Sequence, residues 1–327
     1  MGTGPQMKLV IQIPCYNEEE FITAALDALP RSIAGVDSVE AVVIDDGSSD
    51  RTSEIARAHP LVRKVVRLPY HQGLAAGFMA GIAASLDLGA DIIVNTDADN
   101  QYPASRIPEL IRPVLDGKAE FVIGCRNIEE IRHFSFAKKI AQRLGSRVVS
   151  AICGQQVPDV TSGFRAFSRN SALWLDVVSS KYTYTLETLI RLASRGIPIS
   201  VLEISVNPPV RSSRLMKSSV EYVVRSAGDI LKLFYTYSPL KLFLFFAALF
   251  GLPGLLLIFR FLYFYITRTL IQGIASGYIQ SLTLGTAALT IGVFMLLMGV
   301  LSDLIFTNRK ILEKILFHQH INSKNGR

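Results

Sequence analysis

Two long uncharged stretches constrain the fold of this chain more than any other feature of its sequence. Residues 242–259 and 269–302 contain no Asp, Glu, Lys or Arg. A helix needs about 20 apolar residues to cross the hydrocarbon core of a bilayer. A helix that is apolar on all sides is either a membrane span or the centre of a large soluble core, and the length of both stretches favours the first. The sequence therefore predicts two transmembrane helices.

Basic residues flank the two stretches and are scarce between them. Those before the first stretch are Arg211, Arg214, Lys217, Arg225, Lys232 and Lys241, and those after the second are Arg309, Lys310, Lys314, Lys324 and Arg327. Between the stretches lie Arg260 and Arg268. Because Lys and Arg are enriched on the cytoplasmic side of membrane spans, we expect the N-terminal part and the C-terminal tail to be cytoplasmic. Because no basic region leads into an apolar stretch at the N-terminus, we expect no cleavable signal peptide.

Composition excludes several classes of protein. Half of the 327 residues are hydrophobic and 19% are charged, so the chain is not disordered, collagen-like or a small disulfide scaffold. The three cysteines, Cys15, Cys125 and Cys153, form no CxxC pair, and we expect free thiols in a reducing compartment. A net charge of +7 predicts an anionic partner, such as a nucleic acid, a phosphorylated substrate or an acidic membrane surface.

Short β-branched runs alternate with helical stretches in the first part of the chain. We predict strands at residues 9–13, 41–45, 64–68, 92–96 and 121–124. We predict helices at residues 18–29, 53–58, 73–86 and 103–115. This alternation is typical of an α/β fold with a mostly parallel sheet covered on both faces. Functional sites in such folds lie at the carboxyl ends of the strands.

The division into domains follows from these patterns. We predict, in order, an α/β domain at residues 1–217, a juxtamembrane amphipathic helix at 218–238, a two-helix transmembrane hairpin at 239–306 and a cytoplasmic tail at 307–327. Residues 131–153 and 218–237 combine apolar faces with basic flanks, which favours helices lying in the membrane interface. Ordinary surface helices are the alternative for both segments.

Polar motifs follow three of the predicted strands. IPCYNEE (residues 13–19) follows the first strand, and DDGSSD (residues 45–50) closes the second. Tyr16 offers a flat face to a base and Glu18 can accept hydrogen bonds from it, although helix capping explains the motif equally well. Two adjacent acids at a strand end point to opposite faces, so at most one acid of the second motif lies in the crevice.

The third motif, DADNQYP (residues 97–103), follows the fourth predicted strand. The i, i+2 spacing puts Asp97 and Asp99 on one side of an extended turn, and Gln101 continues the row. Two carboxylates and an amide oxygen are hard ligands that suit Mg²⁺ or Mn²⁺. Two acids this close repel each other unless a cation lies between them. The motif therefore predicts a divalent metal site.

These three motifs, in this order and at these strand ends, resemble those of inverting family 2 glycosyltransferases of GT-A fold. A fourth motif, DVTSGFR (residues 159–165), is similar to the SGFR region of the dolichyl-phosphate mannose synthases and their bacterial polyprenyl-phosphate relatives. The resemblance covers residues 8–217, and the two predicted spans match the relatives that carry a membrane anchor. It implies a cytoplasmic, Rossmann-like GT-A domain, followed by interfacial helices and two transmembrane helices.

The resemblance also implies roles for individual residues. It assigns the nucleoside to Pro14, Tyr16, Glu18, Asp46 and Asp97. It assigns the diphosphate and a Mg²⁺ or Mn²⁺ cofactor to Asp97, Asp99 and Gln101. The catalytic residues expected on this basis are Asp97, Asp99, Asp159 and Arg126.

The expected reaction is inverting transfer of one sugar from a nucleotide diphosphate sugar to a polyprenyl phosphate at the cytoplasmic membrane face. A phosphate acceptor is already largely dianionic at neutral pH, so we expect Asp159 to orient groups and not to act as a base. Guanidinium groups bind phosphate in bidentate fashion. The residues expected to hold the acceptor phosphate are Arg126, Lys138, Arg211 and Arg214.

The sequence departs from the family pattern in three places. His71-Gln72-Gly73 stands where relatives commonly have Asn before the glycine, and we expect His71 to form loop hydrogen bonds without a catalytic role. RSSRL (residues 211–215) replaces a loop of the GxSK type. The QxxRW element of processive synthases is absent, and Trp174 is the single tryptophan, which argues against chain polymerisation.

Two other functions stay open. Transfer to a hydroxyl of another membrane lipid, such as a diacylglycerol or a lipid-linked saccharide, would need a base, and Asp159 would then take that role. A non-catalytic membrane module that binds nucleotide sugars is the second alternative, although the intact row of metal ligands argues against it. A dinucleotide oxidoreductase is excluded because residues 73–77 lack GxGxxG spacing. We expect no nucleic-acid partner, and the sugar, the base and homo-oligomerisation stay open.

Overall fold

The computed structural model describes residues 6–126, 136–175, 184–207, 239–273 and 277–325, together with residues 228 and 235. The chain divides into two units, Met1–Ile230 and Leu231–Arg327. Arg211 and Arg214 lie outside the described residues, as does the predicted juxtamembrane helix apart from residues 228 and 235.

The first unit is built on a seven-stranded sheet. Its strands are β1 (Lys8–Cys15), β2 (Ser38–Asp45), β3 (Val62–Arg67), β4 (Ile92–Asn95), β5 (Phe121–Arg126), β6 (Arg165–Ser168) and β7 (Ile199–Ile204). They are ordered β3-β2-β1-β4-β6-β5-β7. Among these strands β6 alone runs antiparallel to its neighbours, β4 and β5. The predicted α/β class with a mostly parallel sheet is confirmed.

Helices connect the strands at most of the predicted positions. They are α1 (Ile22–Asp27), α2 (Thr52–Ala58), α3 (Leu74–Asp87), α4 (Ile107–Leu115), α5 (Phe136–Cys153), α6 (Arg169–Leu173) and α7 (Tyr184–Ser194). α1 begins later than predicted because residues 18–21 form a turn, in which the carbonyl of Glu18 accepts hydrogen bonds from Phe21 and Ile22. A 3₁₀ turn, Ala104–Arg106, precedes α4.

β6 and β7 were not among the predicted strands. β6 has four residues, and it begins with Arg165, whose side chain is fully buried. A buried arginine is exceptional, so a short segment that starts with one carries no strand signal. β7 is a parallel strand at the edge of the sheet, paired with β5, and most of its residues are partly exposed.

β1 lies inside the sheet and is buried along nearly its whole length. Leu9, Ile11 and Ile13 alternate onto one face and join a core that includes Val43 of β2 and Val94 of β4. Burying each such side chain stabilises the fold by about 1.5–3 kcal/mol. The carboxyl edge of the sheet is therefore a rigid support for the polar loops that follow the strands.

The second unit contains two long apolar helices. α8 (Pro239–Phe264) continues into a π-helical segment, Tyr265–Ile271, and α9 covers Ile279–Asn325. Residues Pro239–Ile271 and Ile279–Arg309 are long and apolar enough to cross a membrane, with mean hydropathies of 2.6 and 2.2. Their large apolar side chains are mostly exposed, as expected of lipid-facing surfaces. The α/β domain is thus followed by the two predicted membrane helices.

Glycines let α8 and α9 approach each other closely. Gly285, Gly292 and Gly299 recur every seven residues on α9, so they lie on one face of the helix. A Cβ atom on Gly292 would lie 2.8 Å from the Cα of Gly251 in α8. A Cβ atom on Gly285 would lie 2.9 Å from the carbonyl oxygen of Gly254. Membrane helices pack by such small residues because burial from lipid supplies no hydrophobic gain.

We expect Gly292→Leu to separate the two helices, because its side chain would meet backbone that has no room to move. Overpacking typically costs about 1–3 kcal/mol. The expected result is a lower midpoint of thermal unfolding for the purified protein in detergent. Gly277→Leu is the control, since a Cβ atom there has no neighbour within 4 Å. Equal midpoints for the two variants would contradict the close glycine packing.

Candidate active site

The predicted motifs meet at the carboxyl edge of the sheet. β1 lies between β2 and β4, so the chain leaves β1 toward one side of the sheet and later returns to β4 on the other. Ligands of open α/β sheets bind outside the carboxyl ends of the strands at such a switch point. Tyr16 follows β1, and Asp97 lies two residues beyond β4. This is the candidate active site.

Asp45 holds the loop after β2 together. Its carboxylate is fully buried and accepts hydrogen bonds from the backbone N–H of Ser48 (2.8 Å) and from the hydroxyl of Ser53. Arg67 Nε lies 3.5 Å from the same carboxylate. The hydroxyl of Ser48 in turn accepts from the backbone N–H of Asn17 (2.9 Å). Asp45 is therefore a structural acid, and these bonds fix the loops after β1 and β2 relative to each other.

Asp46 lies beside Tyr16 and His71. Its carboxylate accepts hydrogen bonds from the backbone N–H groups of Gln72 (2.7 Å) and Gly73 (2.8 Å). His71 Nδ1 lies 2.9 Å from Asp46 Oδ2. The rings of Tyr16 and His71 stack, with centroids 4.1 Å apart and planes at 28°. Two of the residues expected to hold the nucleoside are thus brought together, along with a histidine that the sequence analysis left out of the site.

The other residues assigned to the nucleoside lie deeper. Pro14 is buried in β1, and its Cβ would be 3.4 Å from a Cβ atom on Gly77 of α3. Glu18 is buried, and its backbone N–H donates to the hydroxyl of Thr52 (2.8 Å). The charge of Glu18 is among those that raise the pKa of Asp97, so the two acids lie within electrostatic range.

Asp97 and Asp99 form a pair of acids after β4. Asp99 Oδ1 accepts a hydrogen bond from the backbone N–H of Gln101 (3.0 Å), which closes the turn. Gly163 lies directly over Asp97, because a Cβ atom there would come within 3.2 Å of Asp97 Oδ1. The backbone N–H of Asn207 donates to the carbonyl of Gln101 (2.9 Å) and ties the loop to the segment after β7.

The donor set at this pair fits a divalent cation. Burial, the charge of Asp99 and the charge of Glu18 raise the pKa of Asp97 to about 7, although the positive charge of Arg126 acts in the opposite direction. A cation would favour the ionised form of both acids. Within the described part of the chain no cluster of three His, Cys, Asp or Glu side chains could hold a metal. Asp97 and Asp99 are residues that could hold Mg²⁺ or Mn²⁺, because carboxylate oxygens are hard ligands.

Asp159 and Arg126 form a buried ion pair. Arg126 Nε donates to Asp159 Oδ2 (2.6 Å) and Nη2 donates to Oδ1 (3.2 Å). Arg126 Nη2 also donates to the hydroxyl of Thr161 (2.9 Å), which itself donates to Asp159 Oδ1 (2.8 Å). Gln142 of α5 donates to the same hydroxyl (2.6 Å). Arg126 and Asp159, which the sequence analysis treated as two separate groups, act as one unit.

The ion pair decides the charge of Asp159. Burial alone would raise the pKa of Asp159, but the charge and hydrogen bonds of Arg126, with the bond from Thr161, outweigh burial and hold this pKa below its usual value. A carboxylate with a lowered pKa and several donors is a poor proton acceptor. The geometry therefore favours an orienting role for Asp159.

Arg165 positions the loop that carries Asp159 and Gly163. Its buried guanidinium donates to the backbone carbonyls of Ser162 (2.8 Å), Val160 (2.9 Å) and Thr185 (2.7 Å). It therefore binds the loop to the start of α7 and not to a phosphate. Arg165 ends the DVTSGFR motif, and the motif alone does not indicate this role.

A chain of buried amides holds Gly163 from the other side. Gln12 in β1 donates to Asn95 Oδ1 (2.8 Å), and Asn95 Nδ2 donates to the carbonyl of Gly163 (2.7 Å). The hydroxyl of Tyr102 accepts from the N–H of Gly163 (2.9 Å). The signal for Gln12 and Asn95 was available in the sequence, since each is a polar residue inside an apolar strand.

The comparisons with known proteins agree with this architecture. The sequence model described as "Glycosyl transferase family 2" matches residues 10–173, which is about half of the chain. The chain belongs to this family. The match includes the loops after β1, β2, β4 and β5 and the whole of the motif at residues 159–165.

Relatives of this family 2 glycosyltransferase include enzymes named for polyprenyl phosphates. It is 27% identical to the undecaprenyl-phosphate mannosyltransferase of Micrococcus luteus, over 67% of this chain and 93% of that one. It is 30% identical to the UDP-N-acetylglucosamine–dolichyl-phosphate N-acetylglucosaminyltransferase of Methanococcus voltae, over 49% of this chain and 68% of that one. Glycosyltransferase AglJ of Haloferax volcanii is 27% identical over 93% of this chain and 96% of that one.

A solved structure shares the fold of the first unit. Glucosyl-3-phosphoglycerate synthase from Mycobacterium tuberculosis, in complex with Mn²⁺, UDP and glucosyl-3-phosphoglycerate, matches with a TM-score of 0.55 and 23% identity. The match covers 70% of this chain and 79% of the synthase. At this identity it shows the GT-A fold and carries no information on the substrates of this glycosyltransferase.

We expect the affinity of this glycosyltransferase for Mn²⁺ to fall as the pH is lowered from about 8 to about 6. The pKa of Asp97 is raised to about 7, so this carboxyl gains a proton in that range and must lose it to bind a cation. Titration calorimetry in buffers of different ionisation enthalpy should detect proton release near pH 7. Asp97→Asn should weaken binding and remove the proton release. A Mn²⁺ affinity that stays constant across this pH range would contradict the assignment of Asp97 as a metal ligand.

Asp159→Asn should destabilise the first unit by about 3 kcal/mol, because it leaves the buried Arg126 guanidinium without a negative partner. The measurement is denaturant unfolding at pH 7, followed by the fluorescence of Trp174. Asp27→Asn is the control, since Asp27 pairs with His59 at an exposed position and should change stability little.

The pH dependence checks the same pair. The pKa of Asp159 is lower in the folded protein than in the unfolded chain, so the pair contributes stability above the unfolded pKa, about 4. This contribution is lost as the pH falls through the folded value. The loss of stability on acidification below about pH 4 should therefore be smaller in Asp159→Asn than in the wild type. If stability falls equally with pH in the wild type and in Asp159→Asn, the result would argue against the ion pair.

Proposed function

We propose that this protein transfers a single sugar, with inversion, from a nucleotide diphosphate sugar to a polyprenyl phosphate at the cytoplasmic face of a membrane. Membership of glycosyltransferase family 2, the names of the relatives and the two membrane helices support the proposal. The acids at the switch point of the sheet supply the groups that such a donor needs.

The donor would bind along the carboxyl edge of the sheet. Tyr16 and Asp46 offer a ring face and a hydrogen-bond acceptor to the nucleoside. Asp97 and Asp99, with the amide of Gln101, would hold Mg²⁺ or Mn²⁺, which neutralises charge on the departing diphosphate. Gly163 keeps the space over Asp97 free of a side chain.

The observation that carries the choice of acceptor is the ion pair of Asp159. An acceptor hydroxyl needs a base, but the charge and donors of Arg126 lower the pKa of Asp159 and occupy its oxygens. A phosphate monoester has a second pKa of about 6 and attacks without losing a proton to the protein. This arrangement favours a polyprenyl phosphate over a diacylglycerol or a saccharide hydroxyl.

The acceptor phosphate needs cationic groups on the opposite side of the sugar. Arg126 lies at the end of β5, and its guanidinium is engaged with Asp159. Lys138 lies in α5. Arg211 and Arg214 belong to the basic segment that precedes the first membrane helix in the sequence, where a lipid phosphate would be expected. We assign these four residues to the acceptor.

The test is to incubate the full-length protein in membranes with radiolabelled UDP- and GDP-sugars and undecaprenyl or dolichyl phosphate. The expected product is a lipid that carries one sugar, releases it in mild acid and has an inverted anomeric configuration by NMR. Asp99→Asn should abolish the product while leaving the protein folded and inserted in the membrane. An acid-stable product would indicate transfer to a lipid hydroxyl. That result would contradict the polyprenyl phosphate acceptor and support the alternative one.

The orientation can be measured separately. We propose that the first unit and the C-terminal tail are cytoplasmic, on the evidence of the flanking basic residues. A membrane-impermeant maleimide added to intact cells should label Gly273→Cys, between the two helices, and should miss Lys324→Cys. Labelling of Lys324→Cys but not of Gly273→Cys would show the opposite orientation.

Replacing both Arg211 and Arg214 by alanine should raise the apparent KM for the polyprenyl phosphate or lower kcat, with little change in the affinity for the donor. Orientation of the acceptor by two guanidinium groups can lower a barrier by several kcal/mol. Attraction to anionic lipid alone would give about 1 kcal/mol per residue and would depend on membrane charge. The assay therefore uses a neutral detergent, where a double variant with wild-type kinetics would exclude the acceptor role.

A further inference from the structure

The ring of His71 makes two contacts at the candidate nucleoside site. It stacks on Tyr16, with ring centroids 4.1 Å apart, and its Nδ1 lies 2.9 Å from Asp46 Oδ2. Tyr16 follows the central strand β1, and Asp46 follows the neighbouring strand β2. The imidazole therefore bridges the two loops that border the switch point.

These two contacts are the ones that a nucleobase would make here. A base stacks on an accessible aromatic face, and Tyr16 is the exposed aromatic residue of this loop, with 37% of its surface accessible. Uracil and guanine also carry a ring N–H that can donate to a buried carboxylate such as Asp46. An imidazole with a proton on Nδ1 presents the same combination of a flat face and a ring N–H donor.

The imidazole and a base cannot share these contacts. A centroid distance of 4.1 Å is direct stacking, so no ring fits between Tyr16 and His71. Asp46 Oδ2 receives both His71 Nδ1 and the backbone N–H of Gly73, and Oδ1 receives that of Gln72. A base that uses the same face of Tyr16 and the same oxygen must displace the histidine ring.

The side chain of His71 can leave without moving its loop. The backbone is held independently, by the bonds from Gln72 and Gly73 to Asp46 and by close packing on Gly47. Gly47 has a φ of +74°, and a Cβ atom there would lie 2.8 Å from the backbone nitrogen of His71. The side chain of His71 is 53% exposed, so rotation about its Cα–Cβ bond moves the ring into solvent.

We propose that His71 occupies the nucleobase position of the donor-free enzyme and is displaced when the donor binds. This inference rests on the proposed function, because it assumes a nucleotide donor at Tyr16 and Asp46. The donor can bind only those molecules in which the His71 ring has left Tyr16. Its apparent affinity is therefore the intrinsic affinity multiplied by the fraction of such molecules. Displacement also favours bases that replace both contacts, such as uracil and guanine.

The test compares His71→Ala with the wild type for binding of UDP and GDP in the presence of Mn²⁺, by calorimetry on the full-length protein in detergent. Removing the competitor should tighten binding of the preferred nucleotide by about two- to tenfold, the contribution of one aromatic stack. His59→Ala, which removes a histidine paired with Asp27, should leave the affinity unchanged. Weaker or unchanged binding by His71→Ala would overturn the inference.

A second measurement follows His71 in the wild-type protein and uses His71→Ala to assign its signal. The chain has five histidines, so a protein labelled with ¹³C-histidine gives few ring signals, and the signal missing from His71→Ala identifies His71. Saturating nucleotide should shift this signal toward the position of an exposed imidazole. A His71 signal that does not move under saturating nucleotide would overturn the displacement. If neither UDP nor GDP binds although Mn²⁺ does, the proposed donor fails, and the inference fails with it.

Discussion

Negative charge that converges on one edge of the sheet is the constraint on which the rest of the site depends. The acids gathered there are Glu18, Asp45, Asp46, Asp97, Asp99 and Asp159. Asp45 is compensated by hydrogen bonds within its loop, and Asp46 by two backbone N–H groups. Asp159 is compensated by Arg126. Asp97 and Asp99 instead lie close to each other, and the raised pKa of Asp97 reflects its burial together with the charge of Asp99. Within the described part of the chain, the fold thus brings two acids together at a place where a cation is chemically suited.

The loop that covers Asp97 is held by groups that no sequence motif reveals in isolation. Arg165 binds its carbonyls from one side, and the amides of Gln12 and Asn95 bind Gly163 from the other. Buried polar groups stabilise a structure only when their hydrogen bonds are satisfied. The hydrogen bonds of Arg165 and Asn95 end on backbone atoms of the loop. A Cβ atom at position 163 would lie 3.2 Å from Asp97 Oδ1, which is a tight contact. The network therefore fixes the position of the loop, while the glycine keeps the carboxylate accessible.

The positions of the acids could be predicted from the sequence because they depend on local order. An apolar run followed by Asp97 and Asp99 marks the end of a strand, and parallel strands end at the same edge. The partner of each acid could not be predicted in this way, because it depends on contacts between distant segments. Arg126 and Asp159 are 33 residues apart, and their pairing requires the antiparallel β6, which the strand pattern missed. For the same reason His71 was assigned to a loop, although its neighbours in space are Tyr16 and Asp46.

The ion pair of Asp159 and Arg126 links stability to the choice of acceptor. A carboxylate at a reacting edge can serve as a base for any hydroxyl that reaches it, including water, which would hydrolyse the donor. Pairing it with a buried guanidinium stabilises the loop and lowers the pKa of Asp159, so it removes that base. An acceptor must then arrive already ionised, and a phosphate monoester at neutral pH does so. On the proposed function, the contact that orders the site also protects the donor from water and favours a phosphate over a hydroxyl acceptor, in addition to the basic residues assigned to the acceptor phosphate.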